Sequence, residues 1–162
     1  MIFVTVGTNE ARFDRLLRTV AELETDEPVV IQHGHSTPIA RPNSEIVDFL
    51  PFETMVETVR SARVVVTHAG VGSVMVALAN GKRPVVMPRR KSFGEAVDDH
   101  QLQLGRRFAH AGLVTLVEAE ETLGDALRRR QAEVTQPTVA TALAHDLRSF
   151  LEGVVASSPA RP

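Results

Sequence analysis

A glycine-rich turn over residues 67–73, with the sequence THAGVGS, carries the clearest chemical pattern in the chain. It stands between a β-branched run and a helical pattern, so the free N–H groups of the helix start point outward with the positive end of the dipole. Such a place suits a diphosphate. Gly70 and Gly72 let the backbone turn tightly and approach a ligand, Ser73 adds a donor, and His68 faces the same crevice. The alternative is a bare turn with Ser73 as helix cap and His68 packed, and the spacing favours neither.

A second glycine turn, over residues 6–9, follows the first apolar run. Gly7 allows close approach to phosphate or sugar, and Thr8 and Asn9 can donate hydrogen bonds. Alternatively, Thr8 or Asn9 caps the following helix. Both interpretations can hold, because a capping loop at the carboxyl edge of a sheet also lines the crevice.

The segment DDHQ, residues 98–101, opens a predicted helix after a long loop. His100 and Gln101 could bond sugar hydroxyls or phosphate. The alternative is a capping box, with Asp98 at the N-cap and Gln101 three residues later. The residues alone favour the capping box.

Three further clusters carry less specific patterns. Residues 89–91 (RRK) could neutralise a diphosphate or meet anionic lipid head groups, although a solvated loop is the simpler interpretation. Residues 128–130 (RRR) end a helix, where cations suit the dipole. His33 and His35 have no third ligand at zinc spacing, so no metal site is predicted.

These loops are positioned by apolar runs that alternate with helical patterns. The predicted strands are residues 2–6, 29–32, 45–49, 64–67, 84–87 and 113–117. The predicted helices are residues 10–23, 53–62, 72–80, 98–111, 121–131 and 138–151. This alternation predicts an α/β fold: a single Rossmann-like domain over residues 1–153, with a parallel sheet of about six strands and helices on both faces. Ligands of such sheets bind beyond the carboxyl ends of the strands. Residues 154–162 are predicted to be a disordered tail.

The bulk composition excludes several classes of protein. The chain has 162 residues, which suits one domain, and its net charge of −2 argues against a nucleic-acid partner. It has no Trp or Tyr for base stacking and no Cys for disulfides or thiolate metal sites. Neither a signal peptide nor a membrane helix is recognisable. We therefore expect a cytoplasmic protein, held at the inner face of the membrane only through a partner.

Four segments occur in the order and spacing of a known family: FVTVGT (3–8), HAGVGS (68–73), GKRP (81–84) and DHQ (99–101). Together they resemble the C-terminal, donor-binding domain of MurG-like (family 28) glycosyltransferases of the GT-B class. The likeness is strongest to the split members. These are the soluble catalytic subunit of the dolichol-linked N-acetylglucosamine transferase and the PssE-like subunits of bacterial exopolysaccharide synthesis. The resemblance covers roughly residues 1–117.

The resemblance implies a UDP-sugar donor, UDP-N-acetylglucosamine or a related UDP-hexose, and an inverting transfer without metal. The UDP-sugar is a substrate, so no cofactor is expected. The predicted donor site comprises Gly7, Thr8, Asn9, Phe49, Leu50, His68, Gly70, Val71, Gly72, Ser73, His100 and Gln101. Phe49 and Leu50 lie where the family's uracil pocket forms. The loop is longer in this chain, so Phe52 could contact the uracil instead. His68 and His100 are the candidate catalytic bases.

Position 76 departs from the family pattern. The family usually has Glu or Asp on the first turn of the helix after the glycine turn, bonding the ribose hydroxyls, and Val76 stands there. Valine cannot accept those bonds. Either another residue holds the ribose, or nucleotide affinity is weak, or the donor pocket is altered.

The length implies a partner, because a complete GT-B enzyme has two Rossmann-like domains with the active site between them. By resemblance, a separate membrane-associated, PssD-like subunit supplies the second domain and presents a lipid-linked acceptor. The rival hypothesis is a non-catalytic nucleotide-binding or regulatory module of the same fold. Val76 favours the rival, and the HAGVGS and DHQ segments favour the enzyme.

Overall fold

The computed structural model describes residues 1–117 and 121–134. The strands are β1 Ile2–Thr5, β2 Val29–Gln32, β3 Ser44–Val47, β4 Val64–Thr67, β5 Val85–Val86 and β6 Thr115–Leu116. The α-helices are α1 Asp14–Ala21, α2 Phe52–Ser61, α3 Val71–Ala79, α4 His100–His110 and α5 Leu123–Val134, and a 3₁₀ turn covers Lys91–Phe93. The predicted helix at 138–151, the tail at 154–162 and the domain end at 153 lie outside the described residues.

The six strands form one parallel sheet in the order β3-β2-β1-β4-β5-β6. This confirms the predicted α/β Rossmann-like domain. The chain moves outward from β1 to β3 and then returns to place β4 on the other side of β1. That reversal creates a crevice beyond the carboxyl ends of β1 and β4, where such folds bind ligands.

Apolar side chains cover both faces of the sheet, which confirms helices on both sides. On one face, α1 and α5 pack Leu16, Leu17 and Leu123 against strand residues such as Val4. On the other face, α2, α3 and α4 pack against the remaining strand side chains. All four residues of β4 are buried, as its β-branched sequence predicts for a central parallel strand.

The helix α1 begins at Asp14 rather than at residue 10. Asn9 Oδ1 accepts the N–H of Ala11 at 2.8 Å, and the N–H of Phe13 donates to Ser36 Oγ at 2.7 Å. Phe13 occupies the N-cap position, so the interpretation of Thr8 or Asn9 as helix cap is wrong. Residues 7–13 therefore form a loop along the carboxyl edge of the sheet.

Among the described residues, no helix has the length and apolar character needed to cross a membrane.

Candidate functional site

A cleft of about 410 Å³ lies at the carboxyl edge of the sheet. It is lined by Thr5, Gly7, Thr8, Asn9, Gln32, Phe52, Met55, His68, Gly72, Ser73 and Val76. The last residues of β1 and β2 and the residue that follows β4 form its floor, and the first turn of α2 and the first two turns of α3 form its walls. Its volume falls in the range of small-molecule sites, roughly 300–1,000 Å³. Both predicted glycine turns therefore meet at one cleft.

The start of α3 faces this cleft. The helix begins at Val71, with Gly70 at the N-cap position, and the first intrahelical bond runs from the Val74 N–H to the Gly70 carbonyl at 3.1 Å. The earlier N–H groups of the first turn have no intrahelical acceptor. No side chain caps this helix, so the interpretation of Ser73 as a cap is wrong. Ser73 lines the cleft instead.

The glycines of this region serve different purposes from the predicted tight turn. Gly70 has an extended backbone, with φ −78° and ψ 132°. A Cβ on Gly70 would lie 2.1 Å from Nε2 of His68, and a Cβ on Gly7 would lie 2.4 Å from its Cε1. These two glycines therefore make room for the imidazole ring. A Cβ on Gly72 would meet nothing within 4 Å, which leaves open space at the cleft.

His68 is buried, with 8% of its surface exposed, and its Nδ1 lies 3.3 Å from Thr67 Oγ1. Burial, with a smaller contribution from the positive charge of Arg89, lowers the pKa of His68 to about 4. The ring is therefore neutral near pH 7. It can donate one hydrogen bond and accept another at the cleft, and it is a weak proton acceptor.

Arg89 is a buried structural residue, only 1% exposed, so the interpretation of a solvated loop is wrong at this position. Its guanidinium donates to four backbone carbonyls at 2.6–3.3 Å, those of Val6, Ala11, Arg12 and Glu95. It also lies over the ring of Phe13 at 4.8 Å. Arg89 thus ties the loop after β5 to the loop after β1.

The rest of that basic cluster is closer to the surface. Lys91 is exposed, and Arg90 is partly buried beside the Phe93 ring. The sequence did not single out Glu95, which is buried and forms an ion pair with Arg15 at 2.8 Å. This pair fixes the loop after β5 against α1.

His100 and Gln101 do not line the cleft. The side chain of His100 is 81% exposed and pairs with Asp98 at 2.8 Å. The Gln101 Oε1 accepts the backbone N–H of Arg89 at 3.2 Å. The capping-box interpretation is also wrong, because α4 begins at His100 with Asp99 rather than Asp98 at its N-cap. Asp98 Oδ1 still accepts the N–H of His100 at 3.0 Å, but Gln101 does not complete the box.

The apolar wall of the cleft is formed by Phe52 and Met55 rather than by Phe49 and Leu50. Phe49 contacts the His35 ring edge-on, with centroids 5.2 Å apart. Leu50 packs against the core on the α2 side of the sheet. Of the two alternatives for a base-binding side chain, the structure places Phe52 at the cleft.

Two polar floor residues were missed by the sequence analysis, Thr5 and Gln32. Each is the last residue of its strand, and they are partners in the β1–β2 register. The available signal was a polar side chain ending an otherwise apolar strand. In the part of the chain that the structure describes, no three His, Cys, Asp or Glu side chains are grouped to hold a metal ion.

The model of the family described as glycosyltransferase family 28 C-terminal domain matches residues 1–151. The chain belongs to this family. A human protein, UDP-N-acetylglucosamine transferase subunit ALG13, is 28% identical over an alignment of 123 residues, which covers 68% of this chain and 10% of that protein. The chain therefore spans about a tenth of the length of this curated relative.

Solved glycosyltransferases share the fold of this family 28 domain. The calicheamicin glycosyltransferase CalG4 superposes with a TM-score of 0.66 at 18% identity, covering 94% of this chain and 38% of CalG4. MurG of Acinetobacter baumannii superposes with a TM-score of 0.54 at 18% identity, covering 94% of this chain and 48% of MurG. In each case the chain matches less than half of the larger protein.

Proposed function

We propose that this family 28 domain is the donor-binding catalytic subunit of a two-component glycosyltransferase. It transfers a hexose or N-acetylhexosamine from a UDP-sugar to a lipid-linked or polysaccharide acceptor. The observation that carries the proposal is the cleft at the sheet reversal, which combines the uncapped start of α3 with open space at Gly72.

The cleft supplies groups for each part of a nucleotide donor. The N–H groups at the start of α3 and the Ser73 hydroxyl suit the diphosphate. The exposed ring of Phe52, on the α2 wall, suits stacking with a base. Thr8 and Asn9, on the loop after β1, suit hydrogen bonds to the diphosphate or sugar.

In the transfer, the acceptor hydroxyl oxygen forms a bond to the anomeric carbon while the bond from that carbon to the diphosphate breaks. UDP leaves with the bonding electrons, and the hydroxyl proton passes to a base. The preorganised N–H groups of α3 stabilise the charge that develops on the diphosphate. Because His68 is neutral and weakly basic, we assign it a hydrogen-bonding role toward the donor, and we assign the base to the partner subunit.

The partner requirement follows from placement of the acceptor. The described residues form one sheet, and a GT-B transfer also needs a second domain that orients the acceptor hydroxyl opposite the donor; orientation can contribute roughly 7–11 kcal/mol to the barrier. The human relative's name calls that protein a subunit, which supports a split enzyme. We propose that the partner is a membrane-associated, PssD-like subunit that recruits this chain to the inner face of the membrane.

The donor site is tested by calorimetric titration of UDP, UDP-N-acetylglucosamine and UDP-glucose into the wild type and Gly72→Val. We expect the variant to lose at least tenfold in affinity while keeping its circular dichroism spectrum, because the valine side chain enters open space in the cleft. Gly124→Val, at the start of α5 outside the cleft, is the matched control. Unchanged UDP affinity in Gly72→Val would refute the site assignment.

The split-enzyme proposal is tested by a transfer assay with the purified chain, alone and with membranes from its source. We expect transfer only with membranes. Robust transfer to a lipid acceptor by the chain alone would refute the partner requirement. No transfer with membranes, together with no UDP binding, would support the rival regulatory module.

A further inference from the structure

Gln32 is a buried polar residue at the floor of the cleft. Gln32 is 3% exposed, and its side-chain carbonyl oxygen, Oε1, makes no hydrogen bond with any of the described residues. A buried acceptor without a partner costs the protein free energy. Such an atom at a binding cleft indicates a ligand group that donates to it.

Two other side-chain oxygens of the cleft already accept hydrogen bonds within the protein. Thr5 Oγ1 accepts the N–H of Gly7 at 3.1 Å, and Asn9 Oδ1 accepts the N–H of Ala11 at 2.8 Å. Val76, which lines the same cleft, has no acceptor to offer. Gln32 is therefore the cleft side chain with a buried carbonyl to offer.

The sheet order places Gln32 on the nucleoside side of the cleft. Gln32 ends β2, two strands from β4 and hence about 10 Å from the turn that suits the diphosphate. Phe52 and Met55 of α2 line the same cleft and offer an apolar surface to a base. The strand β5 lies on the side of β4 that faces away from β1 and β2. His100 and Gln101, which come after β5 in the chain, lie outside the cleft. A nucleoside diphosphate with its phosphates at α3 thus directs its ribose toward β2.

We propose that Gln32 Oε1 accepts a hydrogen bond from a ribose hydroxyl of the bound nucleoside diphosphate. Gln32 is then a specificity-determining residue for ribose, at a cleft where Val76 cannot serve. This inference rests on the proposed donor site at α3. It requires that the nucleotide and the buried carbonyl complete each other's hydrogen bonds on binding.

The proposal predicts opposite effects on folding and on binding when the carbonyl is removed. Gln32→Met keeps the length and unbranched shape of the side chain but deletes the unpaired acceptor. The variant should be at least as stable as the wild type, because Oε1 accepts no hydrogen bond from the described part of the chain. It should bind UDP about tenfold more weakly, because a ribose hydroxyl loses its acceptor.

The experiment measures calorimetric affinities of UDP, 2′-deoxy-UDP and 3′-deoxy-UDP, together with the melting temperature. The wild type should bind one of the deoxy nucleotides about tenfold more weakly than UDP, and Gln32→Met should lose that discrimination. Gln103→Met, at an exposed position of α4, makes the same change outside the cleft and should behave as the wild type.

Equal affinity of the wild type for all three nucleotides would overturn the proposal without any variant. Equal UDP affinity of Gln32→Met and the wild type would overturn it as well, while leaving the donor site in place. If the wild type binds no UDP at all, the proposed function itself is wrong, and this inference falls with it.

Discussion

The imidazole of His68 occupies the space that a side chain on Gly70 would need. A Cβ on Gly70 would lie 2.1 Å from Nε2 and 2.8 Å from Cδ2 of this ring. Because Gly70 has an extended backbone open to any residue, the steric contact alone requires glycine there. The turn sequence therefore encodes the burial of a histidine beside the start of α3.

Gly70→Ala should lower the free energy of unfolding by about 1–3 kcal/mol, as expected for overpacking. In a His68→Ala background, the same change should cost less than about 0.5 kcal/mol, because the ring that collides with the new methyl is gone. Urea denaturation of the four proteins measures this coupling. Additive effects of the two substitutions would contradict the steric relationship.

His68 should make the stability of the protein depend on pH. Burial lowers its native pKa to about 4, whereas the ordinary value in an unfolded chain is 6.5. Between these values the unfolded state binds the proton more readily, so the stabilisation is present above pH 6.5 and is lost as pH falls toward 4. From pH 7.5 to pH 5, the wild type should lose about 2 kcal/mol more than His68→Ala.

This pH effect is checked by guanidinium denaturation at pH 7.5, 6 and 5. A second measurement is the titration of the His68 ring by NMR, which should show a midpoint below pH 5. A midpoint at 6 or above would mean that the ring is not desolvated as the structure indicates.

Arg89→Met should destabilise the protein by about 3 kcal/mol. The change deletes a buried guanidinium and leaves the carbonyls that it bonds, including that of Val6, without this donor. Lys91→Met, two residues later on the exposed part of the loop, is the matched control and should change stability by less than about 0.5 kcal/mol. Chemical denaturation of both variants provides the comparison, and equal stability would show that Arg89 is not an anchor.

Val76→Glu should strengthen UDP binding by up to about tenfold, because a carboxylate at the cleft can accept a hydrogen bond from a ribose hydroxyl. It should also lower stability by about 1–3 kcal/mol, since Val76 is 8% exposed and packs in an apolar cluster with Phe3 and Val65. Calorimetry with UDP on the folded variant measures the first effect. Unchanged affinity would mean that the ribose does not reach position 76.

Position 76 also differs from the sequence-based expectation in its place on the helix. Because α3 starts at Val71, Val76 lies on the second turn rather than the first. The residue lines the cleft and packs in the core at once, which explains why a change there affects both binding and folding.

Local patterns in the sequence account for the helices and strands and for their order along the chain. The β-branched run at residues 64–67 predicts a central strand, and the helical spacing of apolar residues predicts helices on both faces of a parallel sheet. Parallel strands place all their carboxyl ends at one edge. The sequence therefore predicts that the turns after β1 and β4 lie at the same edge of the sheet, and the strand order, with β4 beside β1, brings them together at one cleft.

The role of each polar residue depends instead on which distant segments pack around it. Arg89 bonds carbonyls of Val6 and Ala11, which lie 83 and 78 residues away in the chain, and no local pattern distinguishes it from the exposed Lys91. The Gln101 side chain accepts the backbone N–H of Arg89 rather than taking part in a capping box. The Gln32 carbonyl finds no hydrogen-bond partner among the residues that the structure describes. Hydrogen-bond partners are set by which distant segments pack together, and burial then decides how much each partner matters.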